Sequence, residues 1–220
     1  MPDVEGLADH LRGYPKGDGG FIVGITGGVA VGKSTLSAAL KARIEVWPQA
    51  PKVELAGTDG FLLSNAALER AGLTARKGFP ESYDTDALRE ALADVRRGPA
   101  TFPGYSHLIY DVDAALARRL DRPDVLIIEG LGISRATPVD VLIYLDADEG
   151  DLEAWFVTRF MEFWQAGLID AGSRASLRAL IGIYSRLLDR IVASDYDVLA
   201  RRVRVPTWEK LWVLMRSVAA

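Results

Sequence analysis

Nine consecutive residues constrain this chain more than any other feature: Gly27-Gly28-Val29-Ala30-Val31-Gly32-Lys33-Ser34-Thr35. They match G-x-x-x-x-G-K-[ST] at every fixed position, and the flanks are those the motif requires. Residues 21–26 (FIVGIT) form a short apolar run that reads as a buried strand. Residues 36–46 (LSAALKARIEV) place Leu36, Ala39, Leu40 and Ile44 at helical spacing. Gly27 and Gly32 let the backbone curl so that successive N–H groups face inward, and the new helix adds its positive end. Lys33 can reach the β- and γ-phosphates as a point charge, and the Ser34 hydroxyl can ligate Mg²⁺. The stretch from Gly27 to Thr35 is therefore predicted to cradle the phosphates of a nucleoside triphosphate.

Composition narrows what surrounds that cradle. With 220 residues, 49% of them hydrophobic, the chain can bury a full core. One domain over residues 21–220 is the simplest division, preceded by a flexible lead-in over 1–20 with a short helix at 4–11. The absence of cysteine excludes disulfides, thiolate metal sites and cysteine nucleophiles. A formal net charge of −4 gives no support for polyanion binding, so nucleic acid is not an expected partner. No apolar run approaches the ~20 residues of a membrane span, and the N-terminus lacks a signal peptide's layout. A soluble cytoplasmic enzyme with a small-molecule substrate is the expectation.

After the glycine loop, residues 52–56 read as a second strand, ending at Gly57-Thr58-Asp59-Gly60-Phe61. An acidic residue just past a strand's carboxyl end lies on the rim where doubly wound sheets bind ligands. Asp59 there can take a proton from a substrate hydroxyl, hold Mg²⁺, or simply form an Asp-Gly turn. Residues 64–71 read as a short helix stopped by Gly72. The loop Ala75-Arg76-Lys77-Gly78-Phe79-Pro80-Glu81-Ser82-Tyr83 carries two adjacent cations that can serve phosphate or stay solvated. Asp84 caps a helix over 86–97 with Leu88, Leu92 and Val95 on one face.

Residues 102–112 contain Tyr105, His107 and Tyr110, which extended backbone would project into a cleft; a purely structural role fits them as well. Val125-Leu126-Ile127-Ile128 is an unbroken apolar run closed by Glu129, the pattern of a central parallel strand with its carboxylate at the nucleotide. Glu129 thus holds a Walker-B-like position, serving Mg²⁺ through water or forming a turn. Residues 139–145 give another strand, and an amphipathic helix follows from 146 to about 165 with Arg159 in it. Arg159 can clamp a transferring phosphoryl group or form a surface ion pair. A helix over 173–193 comes next, then 203–205 and a closing strand at 211–215, for which a short helix fits nearly as well. The order predicts a three-layer α/β P-loop fold with a mostly parallel sheet flanked by helices, using ATP or GTP with Mg²⁺. The motif alone leaves switch, motor and small-molecule kinase open; small size, no repeats and the Tyr/His patch favour the kinase.

Four blocks together resemble the bacterial type I pantothenate kinases: residues 24–35, Thr58-Asp59-Gly60-Phe61-Leu62, Arg76-Lys77-Gly78-Phe79-Pro80-Glu81-Ser82-Tyr83-Asp84, and Tyr105-Ser106-His107-Leu108-Ile109-Tyr110-Asp111-Val112. The second and third resemble the wider uridine kinase and phosphoribulokinase group; the fourth points to pantothenate kinase. The resemblance implies an ATP-dependent phosphorylation of the primary hydroxyl of pantothenate, the first step of coenzyme A biosynthesis, and a homodimer. It implies that Asp59 is the general base, that Lys33 and Arg159 stabilise charge on the transferring group, that Tyr105, His107 and Tyr110 contact pantothenate, and that Ser34 and Glu129 serve Mg²⁺. The chain departs from that pattern at Phe156, where the family has a substrate-contacting tyrosine, and near Val203, where it has an asparagine. Trp164 stands for a second arginine, and Ala38 for an arginine associated with feedback inhibition by coenzyme A. Phe156 and Val203 favour a related kinase for a nucleoside, sugar or glycerate, and a nucleotide-binding regulatory or assembly protein without turnover is a further reading from another class. Retention of Lys33, Ser34, Asp59 and Glu129 argues against the last.

Overall fold

The computed structural model describes residues 3–14, 19–148 and positions 150, 151, 155, 158, 186 and 212. Two compact units divide the chain, 1–156 and 157–220. In the first unit the order is α1 (Val4–Arg12), β1 (Phe21–Gly27), α2 (Lys33–Glu45), β2 (Val53–Gly57), α3 (Asn65–Arg70), α4 (Thr85–Arg97), β3 (Ala100–Ser106), β4 (Asp111–Leu120), β5 (Val125–Glu129) and β6 (Val141–Leu145). In the second unit the described positions 158, 186 and 212 are helical, and the Arg186 guanidinium lies 5.3 Å from the centre of the Trp212 ring.

The sheet follows from apolar runs with no polar face. Its order is β2-β5-β1-β6, every pairing parallel, with Ile25 beside Glu129 and Gly57 beside the same Glu129. Successive side chains of a strand point to opposite faces, so an all-apolar strand needs cover on both. Phe21, Val23 and Ile25 of β1 and Val125 and Ile127 of β5 meet α1 and α2, where Ala8, Leu11, Leu36, Leu40 and Ile44 are buried. Ile22, Leu126 and Ile128 meet α4 through Leu88, Leu92 and Val95 on the other face. Each fully buried aliphatic side chain contributes roughly 1.5–3 kcal/mol. The α/β fold with a parallel sheet between helices is as the sequence predicts.

Local signals agree with the elements they announce. Ser64 caps α3 by accepting from Ala67 N, and Asp84 caps α4 by accepting from Ala87 N. The helix after the glycine loop begins at Lys33 rather than at residue 36, because Gly32 takes the left-handed conformation (φ 88°) that turns the chain into it. In the predicted lead-in, α1 packs Ala8 and Leu11 into the core against α2.

The largest difference lies between residues 100 and 120. The stretch expected as extended from 102 to 112 is a hairpin: β3 and β4 pair antiparallel, with Tyr105 opposite Val112 and Ser106 opposite Asp111. Only Tyr105 sits on a strand; His107 and Tyr110 occupy the turn, and Tyr110 is left-handed at φ 56°. The second arm, residues 111–120 (DVDAALARRL), lacks β-branched residues and alternation after Val112, so nothing in it announced a strand. The predicted helices over 146–165 and 173–193 lie mostly outside the described residues, as do 203–205 and most of 211–215. Trp212 is helical.

Candidate active site on the carboxyl rim of the sheet

Parallel strands deliver the ends of β1, β2 and β5 to one rim, and the chemistry gathers there. The loop after β1 takes the curled form its glycines allow. Gly27 (φ 146°) has no room for a Cβ, which would fall 2.2 Å from Leu145 O, and Ala30 is left-handed at φ 64°. Gly28, Val29 and Ser34 are exposed and Lys33 is half-buried. The Lys33 ammonium donates to Gly28 O at 2.7 Å and Gly27 O at 3.2 Å, which holds it over the loop. The rest of the cradle, Val31, Gly32 and Thr35, closes the turn into α2.

Because β5 lies beside β1, Glu129 emerges next to α2. Ser34 Oγ donates to Glu129 Oε1 at 2.8 Å. A hydroxyl and a carboxylate side by side are the hard oxygen donors that suit Mg²⁺. Among the described residues no cluster of three His, Asp, Glu or Cys groups could hold a metal alone. Any Mg²⁺ here would take its other oxygens from water and phosphate.

Asp59 follows β2 in a single tight turn, 59–61. Thr58 before it is fully buried; its N–H donates to Glu129 O at 2.9 Å and its hydroxyl accepts from Gly132 N at 3.3 Å. Gly60 lies flat against β3, where a Cβ would fall 1.9 Å from Pro103 O. Asp59 is thus fixed between the sheet and the hairpin. It lines a cavity of about 240 Å³ together with Tyr105, His107, Arg118 and Glu129.

The hairpin supplies the other wall. Tyr105 is half-buried, with His107 at 5.1 Å and Tyr110 at 6.1 Å between ring centres, both edge-on. His107 and Tyr110 are exposed at the turn. Burial, assisted by Tyr110 and by the Asp59 charge, pushes the Tyr105 phenol up to about 12. Burial raises Tyr83 beyond that, with Asp59 adding to the shift and a hydrogen bond with Thr58 opposing it. Both phenols are protonated at neutral pH and can donate.

Several residues beyond the predicted set belong to this arrangement. Lys77, marked in the sequence only as half of a basic pair, donates to Asn65 Oδ1 at 2.6 Å and to Tyr110 O. It also lies 5.2 and 5.1 Å from the Tyr105 and Tyr110 ring centres. Its neighbour Arg76 instead pairs with Glu81 and stacks on Phe79. Thr58, Tyr83 and Arg118 carried no signal of their own. Arg159, Phe156 and Val203 lie outside the described residues.

A glycine-loop cradle, a rim carboxylate on β5 and an acid after β2 on an all-parallel sheet define a P-loop kinase fold. Solved structures agree: a candidate fructose transport system kinase from Silicibacter superposes over 74% of this chain and 83% of its own, with a TM-score of 0.64 and 28% identity. A uridine kinase candidate from Bacillus stearothermophilus shares the fold at a TM-score of 0.53 and 20% identity, over 73% of this chain. No family model matches the chain. In sequence it is similar to proteins named pantothenate kinase, so the resemblance carried by the four blocks holds. One from Xanthobacter autotrophicus is 46% identical over 171 residues, 70% of this chain and 53% of the relative. Another from Sorangium cellulosum is 43% identical over 189 residues, 80% of this chain and 61% of the relative. The chain spans about half to three-fifths of the length of these curated relatives.

Proposed function

We propose that this chain forms an ATP-dependent kinase that phosphorylates the primary hydroxyl of pantothenate, opening coenzyme A synthesis. The observation that carries the reading is Glu129. This carboxylate is hydrogen-bonded to Ser34 of the phosphate loop and also lines the cavity shared by Asp59, Tyr105 and His107. Donor and acceptor sides therefore adjoin at one side chain. Relatives named pantothenate kinase at 43–46% identity supply the substrate class.

In this reading the backbone N–H groups from Gly27 to Thr35 hold the triphosphate. Asp59 accepts the proton of the acceptor hydroxyl as its oxygen bonds to the γ-phosphorus, and ADP departs with the electrons of the broken P–O bond. Lys33 and Arg159 offset charge on the transferring oxygens, which is the larger share of catalysis in phosphoryl transfer. Ser34 and Glu129 would hold Mg²⁺, which neutralises phosphate charge when bound. Tyr105, His107 and Tyr110 orient the acceptor. The protein is read as cytoplasmic and as a homodimer; among the described residues no helix is long and apolar enough to cross a membrane.

A second reading, transfer to a nucleoside, sugar or glycerate, draws on Phe156 and Val203 in place of the family's tyrosine and asparagine and on the likeness to the Silicibacter protein. A coupled ADP-release assay with ATP, Mg²⁺ and a panel of pantothenate, nucleosides, sugars and glycerate separates the two. Selective, saturable stimulation by pantothenate is the expected result. Stimulation by another compound alone would move the acceptor pocket to the second reading, and acceptor-independent silence would leave a nucleotide-binding regulator.

A further inference from the structure

We propose that Arg118 is a specificity-determining residue that receives the negatively charged end of the acceptor, so that this site selects hydroxy acids over neutral alcohols. The inference rests on the kinase reading above and extends it to the far end of the same cavity.

The cavity carries carboxylates at one end and an ion-paired guanidinium at the other. Asp59 and Glu129 lie at the sheet rim, where the hydroxyl must react, and Arg118 of β4 lines the cavity with Leu55, Leu116 and Leu120. The Arg118 guanidinium donates to Leu55 O at 3.1 Å and to Glu54 Oε2 at 3.1 Å. Leu55 lies four residues before Asp59, at most roughly 13 Å of extended chain. The rest of the lining is apolar or backbone at Ala56, Gly57, Phe102, Pro103 and Gly104, and polar at the Tyr105 and His107 rings. A molecule with a hydroxyl at one end, a short uncharged body and an anion at the other matches that sequence of surfaces.

The Arg118 side chain is 60% exposed and ion-paired with Glu54, and two features tie it to the cavity. The hairpin register breaks between Phe102, opposite Arg118, and Gly104, opposite Asp113, so residues 114–117 bulge out of the pairing. Pro103 sits at the break and lacks the N–H a regular ladder would use. Bulges redirect side chains in and just after them, and Leu116 and Arg118, which lie there, both line the cavity. Arg119, next along the strand, pairs with Asp121 at 3.7 Å and is not among the residues that line the cavity. Among the described residues Arg118 donates to Leu55 O and Glu54 Oε2, two of its five N–H donors, and a guanidinium can donate two parallel bonds to one carboxylate. Glu54 holds the guanidinium in place and is the group an incoming carboxylate joins or displaces.

The test compares Arg118→Gln, Arg118→Lys and the control Arg119→Gln in the full chain. Each is assayed with pantothenate and with its analogue in which the carboxylate is replaced by a hydroxymethyl group. In the unaltered protein kcat/KM should favour the acid. Arg118→Gln should reduce that acid-over-alcohol ratio roughly 10–100-fold, mainly through KM for the acid, as expected when a charge-assisted bond is lost. Arg118→Lys should recover part of the ratio, and Arg119→Gln should leave it unchanged. Equal losses on acid and alcohol would mean that Arg118 only braces the hairpin against β2, and would overturn the inference. An unchanged ratio would do the same. If pantothenate is not phosphorylated but glycerate is, with the same dependence on Arg118, the acid preference stands and the pantothenate reading falls. If only a neutral sugar or nucleoside is turned over, or no acid is bound or phosphorylated, the inference falls.

Discussion

The phosphate side and the acceptor side of this site are built in different ways. On the phosphate side, β1 and β5 are central strands whose apolar side chains are buried on both faces, and the functional groups are the ends of those strands. On the acceptor side a two-stranded hairpin leans on the edge of β2, and most of β4 is exposed. The first half is fixed by packing and backbone geometry. The second is fixed by a few contacts: Gly60 against Pro103, Arg118 on Leu55, and Lys77 under the Tyr110 carbonyl. Phosphate binding needs one geometry for every acceptor, whereas acceptor choice can change by side-chain replacement on a hairpin. The difference in construction matches that difference in demand.

Perturbations should fall along this division. The largest effect belongs to Asp59→Asn, which keeps the shape and removes the base; steady-state kinetics should show kcat down by about 10²–10⁴ with nucleotide affinity retained, and normal turnover would remove Asp59 from its role. Ile127→Ala empties a fully buried position of β5, and denaturant unfolding should register a loss of about 2–5 kcal/mol. Gly60→Ala puts a methyl into Pro103 O and must push the hairpin off Asp59. A loss of about 1–3 kcal/mol should come with a raised acceptor KM, and a raised nucleotide KM instead would contradict the division.

Tyr105→Phe should raise acceptor KM several-fold and leave ATP titrations unchanged. The raised phenol pKa has a definite sign. Folding favours the neutral form, so the stability it contributes is complete below the ordinary pKa of about 10 and is lost as pH rises toward about 12. No alkaline limb from Tyr105 should enter the rate profile below pH 10, and one that vanished in Tyr105→Phe would contradict the raised phenol. The smallest effect is expected of Ala30→Gly. Relief of the left-handed φ and the added chain entropy oppose each other, so melting should place it within about 0.5 kcal/mol of the parent.

The same division governs what could be read from the sequence. Every phosphate-side feature is local: the glycine spacing, the apolar runs of β1 and β5, and the terminal Glu129. Local signals survive in sequence because they depend on neighbours a few positions away. On the acceptor side the sequence marks Tyr105, His107 and Tyr110 as a block of residue types, but a turn at 107–110 stands where extended backbone is predicted. The strand carrying Arg118 has an Ala/Arg-rich composition that favours no extended pattern, and it pairs only because β3 is there to receive it. Thr58 and Tyr83 act through contacts with Gly132 and Asp59 from elsewhere in the chain, and no local rule points to such contacts.

The strand order has a consequence for how long each half stays closed. Among the described residues β1 and β5 are hydrogen-bonded on both sides, while β2, which leads into the Asp59 turn, is bonded to a neighbouring strand on one. Amides of the interior strands can meet solvent deuterium only through the largest opening of the sheet, whereas those of β2 and the hairpin can do so by peeling from the edge. The reacting acid of the proposed mechanism therefore rides on a part of the molecule that opens more readily than the phosphate cradle. Warming should erode the acceptor pocket while the nucleotide pocket is still intact.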